Sequence, residues 1–209
     1  MSVESYETTD RAELLELGKD AQDLLFRAAR TANAFTDEPV GDDVVEAVYD
    51  LVKWAPTALN AQPLRVTLVR SPQARERLVS HLADGNKAKT AAAPLVAVLT
   101  ADRDFHHHLP TVFPHAPAVA EHFAADAGAR HATARFNAGL QVGYFLLGVR
   151  AAGLAAGPMT GLDHAGLEAD LFPAGDREVL AVVNIGCPAQ DAWHERLPRL
   201  DYHQAVGTL

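Results

Sequence analysis

Two apolar runs, residues 94–100 (PLVAVLT) and 179–186 (VLAVVNIG), limit what this chain can fold into more than anything else in it. A strand with one wet face alternates apolar and polar side chains. These runs hardly alternate, so each needs cover on both faces. The remaining segments can supply it. Residues 11–32 carry Leu14, Leu17, Ala21, Leu24, Leu25 and Ala28 at helical spacing, so an amphipathic helix is expected there, ending before the Thr36-Asp37-Glu38-Pro39 break. A second helix is expected from Asp42 or Asp43, whose carboxylates suit the positive N-terminal end, to Trp54, with Pro56 stopping it. Residues 64–70 (LRVTLVR) read as a strand and residues 72–83 as a helix. In residues 135–152, Leu140, Tyr144, Leu147 and Ala151 share one face while Phe145, Leu146 and Val149 share another, the pattern of a central helix covered on both sides. Gly139 and Gly143 lie four apart on it, which lets another backbone come close; the bland alternative is tight packing inside the chain. Helices alternate with strands over a single domain, residues 1–209, giving an α/β or α+β sandwich without internal repeats.

Composition narrows the function. A net charge of -9 argues against a broad nucleic-acid or anionic-membrane surface, which needs clustered Lys and Arg. Cys187 is the only cysteine; an intramolecular disulfide and a thiolate cluster are excluded, and a reducing, cytoplasmic compartment is expected. At the end of an apolar run, Cys187 reads as a small core residue. Residues 1–10 are polar and acidic, unlike a secretory signal, and no apolar run approaches the roughly 20 residues of a membrane span.

Several chemistries lack their residues. No Gly-x-Gly-x-x-Gly follows a strand, and residues 85–90 (GNKAKT) lack the glycine that a phosphate loop places before its Lys-Thr pair. The serines, Ser2, Ser5, Ser71 and Ser80, stand in no nucleophile elbow. His106, His107 and His108, with His115, His122 and His131 nearby, raise a metal site; adjacent residues point apart, however, and no His-Glu-x-x-His spacing is present. A solvated, histidine-rich stretch of loops and short helices over residues 101–131 is the expectation, and loops this long are usually lids or binding segments.

A set of short motifs, in order, resembles the nitroreductase family and, within it, the subgroup of malonic semialdehyde reductases of pyrimidine utilisation. They are Arg30-Thr31-Ala32-Asn33, residues 53–60 (KWAPTALN), Gly85-Asn86, Leu109-Pro110, Phe113-Pro114-His115, Gly153-Leu154, residues 157–161 (GPMTG) and residues 196–200 (RLPRL). Read singly they are bland: Arg30 fits a helix C-terminus, Asn60 and Gln62 fit a turn, Asn86 and Lys89 fit the start of a solvated helix. Their order carries the likeness.

The resemblance implies an α+β sandwich with a central, mainly antiparallel sheet, a homodimer, and FMN reduced by NADH or NADPH. FMN brings a phosphate of charge near -2, which Arg30, Thr31, Asn33, Arg196 and Arg199 would meet. Asn86 would pair with the pyrimidine edge of the flavin, Lys89 would stabilise charge near N1, and Pro158, Met159, Thr160 and Gly161 would approach N5. Pro56, Thr57, Ala58, Asn60 and Gln62 stand where the family has Pro-Ser-Ser-x-Asn-x-Gln-Pro, with one hydroxyl fewer. The family's Arg-Arg-Ser-x-Arg becomes Ala29-Arg30-Thr31-Ala32-Asn33, which shifts weight to Arg199. The helix over residues 135–152 matches the interfacial helix of the dimer. Chemistry would sit on the flavin, with no protein nucleophile. For the subgroup the reaction is reduction of malonic semialdehyde to 3-hydroxypropionate, its carboxylate clamped by Arg103, Arg130 or Arg135. A general nitroaromatic or quinone reductase, a non-catalytic flavin-binding module and a histidine-rich metal-binding protein remain the alternatives.

Overall fold

The computed structural model describes residues 14–209. Residues 1–10 and the first part of the expected N-terminal helix, residues 11–13, lie outside them. Four strands, β1 (Leu64–Val69), β2 (Leu95–Asp102), β3 (Ala155–Met159) and β4 (Arg177–Gly186), form one sheet in the order β1-β2-β4-β3. Every neighbouring pair is antiparallel, so the architecture is α+β.

The two apolar runs become the two central strands, for the reason their sequence demands. Along β2, Leu95, Ala97 and Leu99 join the core shared with Val48 of α2 (Asp42–Val52) and Phe145 and Val149 of the long helix running from Ala127 to Ala151. The alternate residues, Val96 and Val98, join the core on the other face. There they meet Leu78 of α3 (Pro72–Ser80) and Leu167 of the helix His164–Leu171. All eight β2 residues are buried. At about 1.5–3 kcal/mol for each fully buried Val or Leu, this strand is where apolar burial contributes most.

Local signals set most other elements. Asp42 and Asp43 occupy the first turn of α2, as anticipated, and it ends at Val52. Ser71 caps α3 by accepting from the Ala74 N–H at 3.2 Å, with Pro72 in its first turn. α4 (Asp84–Ala92) follows. Between β2 and residue 126 the chain forms short pieces as expected, a 3₁₀ turn (Phe105–His108), α5 (Leu109–Val112) and α6 (Ala118–Ala125), whereas residues 127–131, expected among them, belong to a long helix. α7 (Ala127–Ala151) starts earlier than its expected residue 135, because Asp126 accepts the Ala129 N–H at 2.9 Å and caps it there. After β3 come α8 (His164–Leu171), β4 and the short α9 (Tyr202–Ala205).

Further expectations are corrected. The N-terminal helix shrinks to α1 (Lys19–Gln22) and a wide turn over Asp23–Arg27. Its Leu14 and Leu17 are exposed, so the start of the helical spacing finds no core to face. From residue 28 the chain extends instead, because its backbone has partners: Ala32 N–H donates to Ala156 O at 3.0 Å and Asn33 N–H to Ala192 O at 3.0 Å. Tertiary pairing beats a weak local preference there. Gly139 and Gly143 do not pack tightly inside the chain, the bland alternative for them: both are exposed, and a Cβ added to either would meet nothing within 4 Å. His106, expected to be solvated, is buried, while His107 and His108 are exposed. Cys187 is half-buried, and its thiol is pushed above its usual range by a hydrogen bond to Glu38 and by burial. Among the described residues no helix is long and apolar enough to cross a membrane.

Candidate functional site

The extended segment after residue 28 runs along the free side of β3, and it reaches that strand because Gly157 has no side chain. A Cβ there would stand 2.5 Å from Ala32 O, closer than real atoms approach. This contact places Arg30, Thr31 and Asn33 on the surface beside the C-terminal stretch. Arg30, Thr31 and Asn33 line a cavity of about 220 Å³ together with His194, Arg196 and Arg199. A neighbouring cavity of about 300 Å³ shares Arg30, Thr31 and Arg199 and adds Arg150, Gly143 and Leu147 of α7 and Pro158 of β3.

The cations are not equivalent. Arg196 Nη2 donates to Arg27 O at 2.5 Å and Ala29 O at 3.2 Å, so it chiefly shapes the segment that carries Arg30. Arg30 donates to His194 O at 3.2 Å and lies over the Trp193 ring, 5.5 Å from its centroid. Arg199 donates to Leu197 O and Pro198 O. Each guanidinium carries five donors, so Arg30 and Arg199 keep capacity for an incoming anion.

A second group joins through Asn33, whose Oδ1 accepts from Lys89 Nζ at 3.3 Å. Lys89 and Asn86 sit one turn apart on α4. Asn86 Nδ2 and the Ala83 N–H both donate to Gly161 O, at 3.0 and 2.9 Å, and so fix the chain leaving β3. Thr160 and Gly161 are exposed there. Met159 is buried and faces the core, its sulfur accepting from Thr90 Oγ1 at 3.5 Å. Thus the structure brings together Arg30, Thr31, Asn33, Arg196, Arg199 and Pro158, with Lys89, Asn86 and Gly161 linked to them.

Pro56, Thr57, Ala58, Asn60 and Gln62 line neither cavity. They form a tight loop whose Leu59, Asn60 and Gln62 have φ of 57°, 50° and 44°. Left-handed backbone at such non-glycine residues costs of order 1 kcal/mol each, and strain of this kind concentrates at binding loops. Thr57 Oγ1 accepts from the Gln62 N–H at 3.2 Å, and Asn60 Nδ2 donates to Val112 O at 2.9 Å, tying the loop to α5. A further cavity, of about 510 Å³, lies between α2, β1 and α7, lined by Lys53 and Leu64 on either side of this loop in sequence.

None of the three arginines expected to clamp a substrate carboxylate lines either cradle cavity. Arg103 pairs with Glu168 at 3.0 Å, Arg135 with the buried Glu178, and Arg130 donates to Phe123 O at 2.8 Å. All three hold the fold. Reading the sequence also missed Arg150 and Trp193. Arg150 lies on the expected central helix, yet its spacing does not separate a site residue from a helix-end cation. Among the described residues no group of three or more His, Cys, Asp or Glu could hold a metal.

An antiparallel sheet with helices on both faces, a cation-lined cradle at one edge and a strained polar loop beyond the long helix define a ligand-binding α+β protein. The chain belongs to the nitroreductase family, whose model matches residues 26–187. It is 60% identical over 195 residues to a Streptomyces coelicolor protein provisionally named NADH dehydrogenase/NAD(P)H nitroreductase, covering 93% of this chain and 99% of that protein. In fold it is similar to a provisionally assigned nitroreductase from Exiguobacterium sibiricum solved in complex with FMN. That match has a TM-score of 0.80 and 16% identity, and covers 93% of this chain and 99% of the other. A provisionally assigned NAD(P)H:FMN oxidoreductase from Staphylococcus epidermidis aligns with a TM-score of 0.78 at 15% identity, over 93% and 98% of the two chains.

Proposed function

We propose that this chain is an FMN-dependent NAD(P)H oxidoreductase that works as a homodimer in the cytoplasm. The observation carrying it is the cradle: a protein of net charge -9 gathers Arg30, Arg196 and Arg199 around Thr31 and Asn33 at one sheet edge. That donor set fits a phosphate monoester. Bound there, FMN would supply hydride chemistry, taking a hydride from NADH or NADPH and passing two electrons to a second small molecule.

The protein's part is binding and orientation. Arg30 and Arg199 hold the phosphate, and Arg196 keeps the Arg30 segment in place. Thr31 and Asn33 supply neutral hydrogen bonds to the ribityl chain. Lys89 would add positive charge beside the flavin pyrimidine, and the Asn86 amide would pair with its edge. The chain around Pro158, Thr160 and Gly161 offers backbone groups to the ring.

Dimerisation is supported by α7. Phe136, Leu140 and Tyr144 recur at helical spacing on it, all exposed, and Gly139 and Gly143 stand open beside them. The loop of residues 56–62 belongs to the same site only if a second copy brings it there, since within one chain it lines neither cradle cavity.

For the acceptor, the name of the Streptomyces relative favours a nitro compound, while reduction of malonic semialdehyde rests on the motif likeness alone. Turnover of both classes on one preparation separates them. The primary test is a spectrum followed by anaerobic NADH or NADPH. A yellow protein that bleaches is expected. A yellow protein that does not bleach overturns the enzyme reading, and a colourless one that takes up no FMN overturns the flavin reading.

A further inference from the structure

The loop of residues 56–62 is strained, and something rigid must hold it. Two polar side chains of α7 do so. Asn137, only 2% exposed, accepts the Ala58 N–H on Oδ1 at 2.7 Å. Its Nδ2 donates to Thr133 O at 2.9 Å, which fixes the amide so that the oxygen faces the loop. One helical turn on, Gln141 Oε1 accepts the Leu64 N–H at 2.9 Å. The helix therefore grips the loop at both ends, and the residues with positive φ lie between the two grips.

A buried amide in the middle of a helix is a poor choice for stability alone, since Leu at that place would cost the helix less and bury more apolar surface. The requirement comes from the loop. Its irregular backbone leaves the Ala58 N–H without a backbone partner, and the buried Asn137 amide oxygen supplies one.

We propose that Asn137 and Gln141 are positioning residues that hold the loop of residues 56–62 in its ligand-binding shape before the ligand arrives. The consequence for affinity rests on the flavin reading above; the consequence for the loop does not. A preformed loop spares the ligand the ordering cost, so affinity depends on two residues that need not touch the ligand. They sit on the same helix as the exposed Phe136 and Leu140, so the loop and the apolar stripe move as one unit.

The test uses the full chain with Asn137→Ala, Asn137→Asp and Gln141→Met, reading amide hydrogen exchange and FMN fluorescence titration. In Asn137→Ala, exchange over residues 57–64 should speed up about tenfold while β2 and β4 keep their protection, and the FMN dissociation constant should rise about tenfold. Asn137→Asp keeps the accepting oxygen but loses the bond to Thr133 O and buries a carboxyl group, so it should recover only part of the loop protection and of the affinity. Gln141→Met should shift both in the same direction by less, and it carries the test if Asn137→Ala fails to fold. Unchanged loop exchange in the variants that fold overturns the proposal, as does a loss of protection spread evenly over the sheet. Loosening of the loop with unchanged FMN affinity overturns the preorganisation claim. If the unaltered protein takes up no FMN, the flavin reading fails by itself, and exchange still decides whether these side chains position the loop.

Discussion

At the scale of single residues, the cradle separates holders from shapers. Arg30 and Arg199 keep free donors, and a hydrogen bond to a charged group is worth about 1.5–3 kcal/mol. Arg30→Ala or Arg199→Ala should therefore lower FMN affinity by roughly ten- to a hundredfold with little change in melting temperature, as read by fluorescence titration and calorimetry. Arg196 binds carbonyls of its own chain, so Arg196→Ala should lower affinity while loosening the segment after residue 28 in hydrogen exchange. Gly157 is constrained differently. Its Cβ position is 2.5 Å from the backbone oxygen of Ala32, which no side-chain rotation relieves. Gly157→Ala should cost about 1–3 kcal/mol in urea unfolding, and flavin loss should accompany it because the Arg30 segment is what must move. The sequence points to Arg30, Asn33, Lys89 and Arg199 by residue type and order. It is silent on which are already engaged, since Arg196 meets Arg27 and Ala29 only through the folded chain.

Among elements, legibility follows how far a pattern is self-contained. β2 and β4 are readable because being buried on both faces writes itself as an unbroken apolar run, and α2 because acidic residues and Pro56 mark its two ends. β3 is not readable: AAGPM has no β-branched residue and includes Pro158. It is a strand because β4 supplies its ladder, and Pro158 is tolerated on an edge. The N-terminal helix fails in the opposite sense: its helical spacing is good, but Leu14 and Leu17 stay exposed and it is the Asp23–Arg27 turn that meets α7.

The Phe105–His108 turn carries a pH dependence. His106 is buried with Nδ1 unpartnered, and its pKa is lowered from 6.5 by burial first, then by His107 and Arg130, with Asp104 and Asp102 opposing. A lowered histidine pKa means that the unfolded turn binds the proton more readily. Stability from this group is thus complete above pH 6.5, falls as pH drops through that value, and levels off below the folded pKa. Protection of this turn, measured as exchange relative to the intrinsic rate at each pH, should therefore fall between neutral and mildly acidic pH, and His106→Gln should flatten the change. An unaltered pH response in that variant would assign the effect to another group.

At the scale of the whole molecule, the loop of residues 56–62 and the cradle stand apart within one chain. The motif order places residues 56–62 and Arg30 in one site, yet in the fold α7 meets them at different points: Asn137 beside the loop, Gly143 and Arg150 beside the cradle. A likeness in sequence order carries no information on which copy supplies which half, so this part of the site could not be read from one chain. Between those points the helix exposes Phe136, Leu140 and Tyr144. Two copies packed through this stripe would bury it and bring the loop of one against the cradle of the other. Light scattering of the unaltered protein should then give twice the chain mass. Leu140→Arg tests the interface without touching the buried core, because Leu140 is 43% exposed within a chain. Placing a guanidinium against its own copy leaves a desolvated charge unpaired, enough to split an interface of ordinary strength. The variant should run at single-chain mass, keep its far-ultraviolet dichroism and lose FMN, since separated chains hold half a site each. A flavin-loaded single chain, whether unaltered or carrying Leu140→Arg, would show that one copy completes the site and that the stripe serves another purpose.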